Sequence, residues 1–400
     1  MLRDAASETM LRVVSGLTGL GMARQYPYVA QSIAWIGSAL MRRETAMGRN
    51  IILCFDGTNN EYAAVNTNVV KTYTMLDRTG ADQFAYYQPG IGTFAPPGMW
   101  GKIRKWIVTR LDLAIAWLLV DHVCDGYRFL MRYYQDGDQI FIIGFSRGSY
   151  TARALAGMIH KVGLLSQGNE ELIGFAWSAF RTKQDVGVAE GFKQTFCKDI
   201  KIRFLGLFDT VSSVGWAWQP QYLPYTFNNP SVETVRHAVS LDERRSYFVQ
   251  NLWGNQPTDV KQVWFSGTHC DVGGGYVETE SGLSKLSLRW MVDEAKASGL
   301  RFNAAAEALI LPATAGGGYA PGSVTAPQHE SLKGWWWIVE FIPKRIRDPA
   351  ADFATRWILH AGRHRFVKDG ATIHVSVGQR MRQVVSYRPG NLPSTFVETP

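Results

Sequence analysis

Cysteine is scarce in this chain: four in 400 residues, with Cys54, Cys124, Cys197 and Cys270 scattered and no C-x-x-C pair among them. Neither a zinc site nor a disulfide framework is indicated, and a reducing compartment is the expected setting. Long apolar runs are also missing. The stretch from Ser32 to Met41 stops at Arg42 and Arg43, short of the ~20 residues that a membrane-spanning helix needs, and reads as a docking helix or interfacial segment. Asp4 and Glu8 interrupt the start, and Gly16, Thr18, Gly19, Gly21 and Arg24 break the next apolar stretch, so no cleavable signal peptide is recognised. The expectation is a cytoplasmic protein, at most peripheral to a membrane, whose export would proceed without such a signal. No G-x-x-x-x-G-K-[ST] loop occurs, which removes P-loop nucleotide hydrolysis, and Gly273, Gly274 and Gly275 lack the spacing of a dinucleotide fingerprint.

What is present is the composition of an ordinary globular protein, 46% hydrophobic with 39 glycines, enough for one large domain or two smaller ones. The net charge of +8 favours anionic partners. Lys102, Arg104, Lys105 and Arg110 lie beside Trp100 and Trp106, and basic residues next to tryptophan on a helix point to a membrane surface rather than to nucleic acid. A core helix with a solvated basic edge accounts for the same residues.

The most informative stretch runs from Gln139 through Gly144, Ser146 and Gly148 to Met158. The apolar, β-branched run Ile140 to Ile143 predicts a strand buried on both faces, and Ala152, Leu155, Ala156 and Ile159 recur at helical spacing. G-x-S-x-G between a strand and a helix predicts a nucleophile elbow. Its glycines keep Cβ atoms out of a tight backbone crossing and its serine is lifted above the sheet. A serine that merely caps the helix is the plainer alternative.

Apolar strands are also predicted at Asn50–Phe55, Gln83–Tyr87, Ile202–Phe208 and Val263–Ser266, each ending at a polar or glycine-rich corner and separated by helical patterns. That alternation predicts an α/β fold with a mostly parallel sheet, whose corners face one crevice beyond the carboxyl ends of the strands. After Ser146 the next corner delivers Asp209 and the following one His269, the Ser, Asp, His order of α/β-hydrolases. Serine needs a base to remove its proton, and a carboxylate fixes the tautomer of that base. Asp271 competes for the acid role, and His374, on a later strand, is an alternative base that would pair with Asp271 and keep the same order; His329 is a third candidate base. The oxyanion donors are expected at the amide of Arg147 and around Gly57 and Thr58, with Asp56 supporting that corner. No metal or organic cofactor is required by this chemistry.

The blocks Phe55 to Asn59, Gly144 to Arg153, Leu207 to Val211, His237 to Arg245 and Val263 to Tyr276 together resemble the catalytic domain of bacterial type VI secretion phospholipase effectors and their α/β-hydrolase relatives. The resemblance covers roughly residues 48 to 300. It implies a serine esterase or lipase, phospholipase A-like in effector members, with Ser146 as nucleophile, Asp209 as acid and His269 as base. It assigns no role to Asp56 or His237. The expected organisation is an N-terminal helical extension at residues 1–48 and an α/β-hydrolase domain at 49–400. That domain includes a lid segment at 97–135 and an aromatic, basic segment at 330–368 that contains Trp335, Trp336 and Trp337. The non-enzymatic alternative is a hydrolase-fold module that binds membranes or partners without chemistry.

Overall fold

Eight strands build the central sheet: β1 (Asn50–Phe55), β2 (Gln83–Gln88), β3 (Gln139–Phe145), β4 (Ile202–Phe208), β5 (Val232–Ser240), β6 (Asp259–Phe265), β7 (Ala371–His374) and β8 (Phe396–Thr399). Their order is β8-β7-β6-β5-β4-β3-β1-β2, and every neighbouring pair is parallel. This computed structural model describes residues 48–57, 65–90, 104–182, 186–211, 223–254, 259–334, 336–348, 351 and 354–400, with the backbone alone at 104–117, 186, 339, 345–348 and 355. Backbone contacts divide the chain after Gly48, and the fold described is that of the unit Arg49–Pro400. The helical extension expected at residues 1–48 lies outside the described residues.

Strand periodicity sorts the side chains into two layers. On one face Ile51, Leu53, Phe55, Ile140, Ile142, Leu205 and Leu207 pack with the helices α2 (Arg104–Tyr133) and α3 (Arg147–Val162). On the other, Ile52, Cys54, Phe141, Ile143, Phe204 and Phe208 meet α1 (Asn68–Met75) and α5 (Gly282–Ala297). Both faces are covered, which is why these strands read as continuous apolar runs.

β5 escaped prediction because it carries Glu233, Arg236 and His237. Its buried titratable groups are paired: Arg236 with Asp259 and Glu294, and His237 with Gln262 and the Thr210 amide. The short β7 was anticipated only as a later strand carrying His374, and β8 was missed.

Of the expected lid segment, residues 97–103 and the side chains of 104–117 lie outside the description. From Leu119 onward the helix packs as core, through Val123, Tyr127, Leu130 and Met131. Among the described residues no helix is long and apolar enough to cross a membrane.

The chain steps from β1 outward to β2, then returns to β3 on the other side and continues to β8. The reversal falls between β1 and β3, where open parallel sheets place their ligand crevices.

Phe141 is fully buried between layers, so Phe141→Ala is expected to lower stability by about 3–5 kcal/mol in urea unfolding. A Cβ added at Gly174 would meet nothing within 4 Å, so Gly174→Ala on the helix Ile173–Arg181 is expected to raise stability by up to about 1 kcal/mol.

Candidate active site

The corner after β3 is built on a steric constraint. A Cβ at Gly148 would stand 2.2 Å from the carbonyl oxygen of Phe55 and 2.5 Å from that of Asp56, and one at Gly144 would stand 2.7 Å from the backbone of Ser149. Only glycine permits β1 to press so closely on the turn. Between them Ser146 takes φ 59° and ψ −122°, a conformation that side chains rarely adopt, and α3 starts at Arg147. The strain is held by the Ser146 amide, which donates to the carbonyl of Phe208 at 3.0 Å, and by the Ser149 hydroxyl, which donates to the same oxygen at 3.1 Å.

Ser146 makes no side-chain cap bond to α3. Its Oγ instead lies 2.8 Å from Nε2 of His269, and Nδ1 of that ring lies 2.5 Å from Oδ2 of Asp209. His269 opens the short helix α4 (His269–Gly273) beyond β6, and Asp209 follows β4 with φ 40°. All three are buried. Phe145 stacks on the imidazole at 4.7 Å and Phe248 meets it edge-on at 4.8 Å, which fixes the ring plane. Burial pushes His269 below the ordinary histidine value, against the upward pull of Asp209. Burial also pushes Asp209 up, but Arg365 and His269 outweigh it and hold the carboxyl well below the usual carboxylate range.

The competing candidates are placed apart. His374 bonds Ser376 at 2.7 Å, caps the helix Val375–Gln383 and stacks on Phe265. Asp271 closes a capping box with Thr268 and accepts from Nδ1 of His329 at 2.7 Å, while Nε2 of His329 reaches Glu280 at 3.0 Å. The pairing of Asp271 with His374 considered from sequence is therefore not formed, because each side chain is engaged at its own helix start. His329 is tied to two carboxylates and stacked on Tyr276 at 3.5 Å.

At the β1 corner the Gly57 amide donates to Asp56 Oδ1 at 2.7 Å, so as an oxyanion donor it would have to exchange that bond. Thr58 lies outside the described residues. Asp56 also accepts from Thr67 at 2.9 Å and Tyr87 at 2.8 Å, and burial pushes its carboxyl up to about 6. It braces the corner that presses on Gly148. Arg147, at the first position of α3, carries one of the amides that a helix N-terminus directs outward.

Several supporting residues had no role assigned from sequence: Arg365 lies outside every block of the resemblance, and Ser240, His237 and Glu243 fall in the block His237 to Arg245 without a stated function. Arg365 forks onto both Asp209 oxygens, at 2.6 Å and 3.1 Å, and Ser240 donates to them from its amide at 2.8 Å and its hydroxyl at 3.0 Å. His237 accepts from the Thr210 amide at 3.1 Å, with burial holding it neutral at a value near 3. Glu243 accepts from the His269 amide at 3.2 Å and from Arg245. Among the described residues no group of three or more histidine, cysteine or acidic side chains is arranged to hold a metal ion.

A family model described as "T6SS, Phospholipase effector Tle1-like, catalytic domain" matches residues 49–294. The chain is 41% identical over 245 residues to a Saccharomyces cerevisiae protein titled "Uncharacterized protein YEL023C", in an alignment covering 57% of this chain and 36% of that one. It thus spans about a third of that relative's length. Similar solved structures include an uncharacterized protein from Pseudomonas aeruginosa, at a TM-score of 0.40 and 20% identity, covering 72% of this chain and 50% of that one. Another is a Tle1 effector bound to the VgrG spike of the type 6 secretion system, at a TM-score of 0.35 and 18% identity, covering 60% and 53%.

Gly148→Ala is expected to displace β1 from the elbow. It should lower the unfolding midpoint measurably and slow labelling of Ser146 by a serine-directed probe by at least about tenfold, because the obstructing atoms are backbone and cannot swing aside.

Proposed function

The chain belongs to the family of Tle1-like phospholipase effector catalytic domains, and from that membership together with the geometry around Ser146 we propose that it is a serine hydrolase of carboxylic esters, with phospholipid acyl esters as its substrates. The observation that carries the reading is the unbroken chain from Ser146 Oγ through His269 to Asp209.

His269 is neutral at neutral pH, so its Nε2 is free to take the serine proton while Nδ1–H donates to Asp209. Ser146 Oγ attacks the ester carbonyl carbon as that proton moves to Nε2. The amide of Arg147 donates to the oxygen that gains charge. Collapse of the tetrahedral intermediate breaks the bond to the alcohol, which leaves with the proton from His269. Water then repeats the sequence on the acyl-enzyme, with His269 as base, and frees the fatty acid.

A lipid surface as partner fits the neighbourhood of the site. Trp336 touches Phe248, the ring beside His269, and the segment continues outward to Trp337, Ile338 and Phe341, all exposed. Trp335 lies outside the described residues. Exposed apolar groups next to Lys333 and Arg244 suit the acyl and headgroup levels of a bilayer.

A fluorophosphonate should label the folded chain at Ser146, and Ser146→Ala should abolish labelling and lower ester turnover by about a thousandfold or more. Fatty acid release should be greater from phospholipid vesicles than from short p-nitrophenyl esters. Turnover that survives Ser146→Ala removes the mechanism, and turnover confined to soluble esters removes the phospholipid assignment.

A further inference from the structure

Resting on the serine-hydrolase reading, we infer that Arg365 is a positioning residue of the reaction: it neutralises Asp209 in the resting site and so keeps His269 unprotonated until the serine proton arrives. Arg365 lies well beyond residues 49–294, the part that matches the family. Its side chain is buried and reaches the triad from the segment ahead of β7. Nη1 and Nη2 meet the two Asp209 oxygens, Nη1 also donates to the Ser240 carbonyl at 3.0 Å and to the Ser240 hydroxyl at 2.6 Å, and Nε donates to the Phe248 carbonyl at 3.1 Å. The guanidinium therefore spans both oxygens of the carboxylate, including the one that meets Nδ1 of His269, and is fixed by backbone acceptors.

The physical argument concerns where a proton rests. A carboxylate buried without a counter-ion either takes up a proton or draws one onto its partner. Here the available partner is His269, since Ser240 is already a donor and His237 is held neutral by burial. An imidazolium resting against Asp209 has no lone pair to accept the serine proton. With Arg365 in place the Asp209 charge is already balanced, and His269 is left neutral with its Nδ1–H directed to Asp209. Among the described residues the other charged groups acting on His269 are Glu243, at its amide, and Arg245, which is bound to Glu243. They too balance each other. The bidentate fork adds orientation, because it leaves Asp209 Oδ2 one fixed approach for Nδ1.

The test uses the full chain and p-nitrophenyl butyrate, with kcat/KM and fluorophosphonate labelling followed against pH for the unmodified protein, Arg365→Gln, Arg365→Lys and Ser146→Ala. Arg365→Gln is expected to move the ascending limb to higher pH by about one unit or more and to lower kcat at pH 7 at least about tenfold with little change in KM. Arg365→Lys should return the limb toward its original position while recovering only part of kcat, since a point charge cannot fork.

If Arg365→Gln merely reduces the fraction of protein that labels, without moving the limb, the residue is structural and the inference is overturned. Where the glutamine variant does not fold, Arg365→Lys decides: kcat lowered with KM little changed and the limb near its original position sustains the inference, and a loss confined to the fraction of protein that labels overturns it. Ser146→Ala separates the two levels of the argument: an inert Ser146→Ala beside an unmoved limb removes only the role of Arg365. An active Ser146→Ala removes the serine mechanism and this inference together.

Discussion

The contact on which the site depends is the approach of the Phe55 and Asp56 carbonyls to Gly148. It joins the end of β1 to the first turn of α3, and because β3 lies between β1 and β4, the turn that leaves β3 has little freedom. The chain must reverse from strand to helix within the width of one backbone. Ser146 is forced to positive φ, its amide and the Ser149 hydroxyl are consumed by the Phe208 carbonyl, and its Oγ is left directed at His269. The energy stored there is on the order of 1–3 kcal/mol. It is tolerated because the core on both sides of β3 is fully covered.

From that point the site assembles along the sheet edge. The parallel order places the ends of β3, β4 and β6 on one side, so a serine, an aspartate and a histidine separated by 63 and 60 positions in the chain meet within hydrogen-bond reach. The second positive φ, at Asp209, has the same character as the first. Its carboxylate turns away from its own loop to meet Ser240 on the neighbouring strand, while the Thr210 amide is taken by His237. This gives His237 a physical role that its sequence block alone did not disclose. Its ring supports the corner that carries Asp209.

The legible part of this architecture was the part written in local pattern. The elbow, four apolar strands besides its own, and the Ser, Asp, His order all follow from short windows, since a buried strand and a glycine-bounded turn have compositional signatures. β5 and Arg365 were not legible for a common reason. Each places charged or titratable groups in the interior, and such groups are permitted there only by partners far away in the chain: Glu294 for Arg236, Asp209 for Arg365. A single sequence shows the charge without the partner, and an isolated charge reads as surface. The choice between His269 and His374 was open for a related reason. Both histidines stand at strand ends, and only the fold reveals that one faces Ser146 while the other caps its own helix.

The charges around His269 come in pairs, and the pairing bears on the proposed mechanism. Asp209 is matched by Arg365, and Glu243 by Arg245, so two buried carboxylates approach the imidazole without leaving a net negative charge on the resting site. Burial then dominates, and the ring stays neutral. In the proposed mechanism the serine proton moves to Nε2, and the new positive charge would find Asp209 at its Nδ1 and Glu243 at its backbone amide, already oriented and already desolvated. No solvent has to reorganise to meet it, and dipoles and charges fixed in advance are worth more in such a dry site than in water. An unpaired carboxylate would stabilise the same imidazolium more strongly, but it would also draw a proton onto the resting ring and occupy the nitrogen that the proposed mechanism needs as base. The guanidiniums weaken that stabilisation in both states, and what is gained in exchange is a ring that rests neutral.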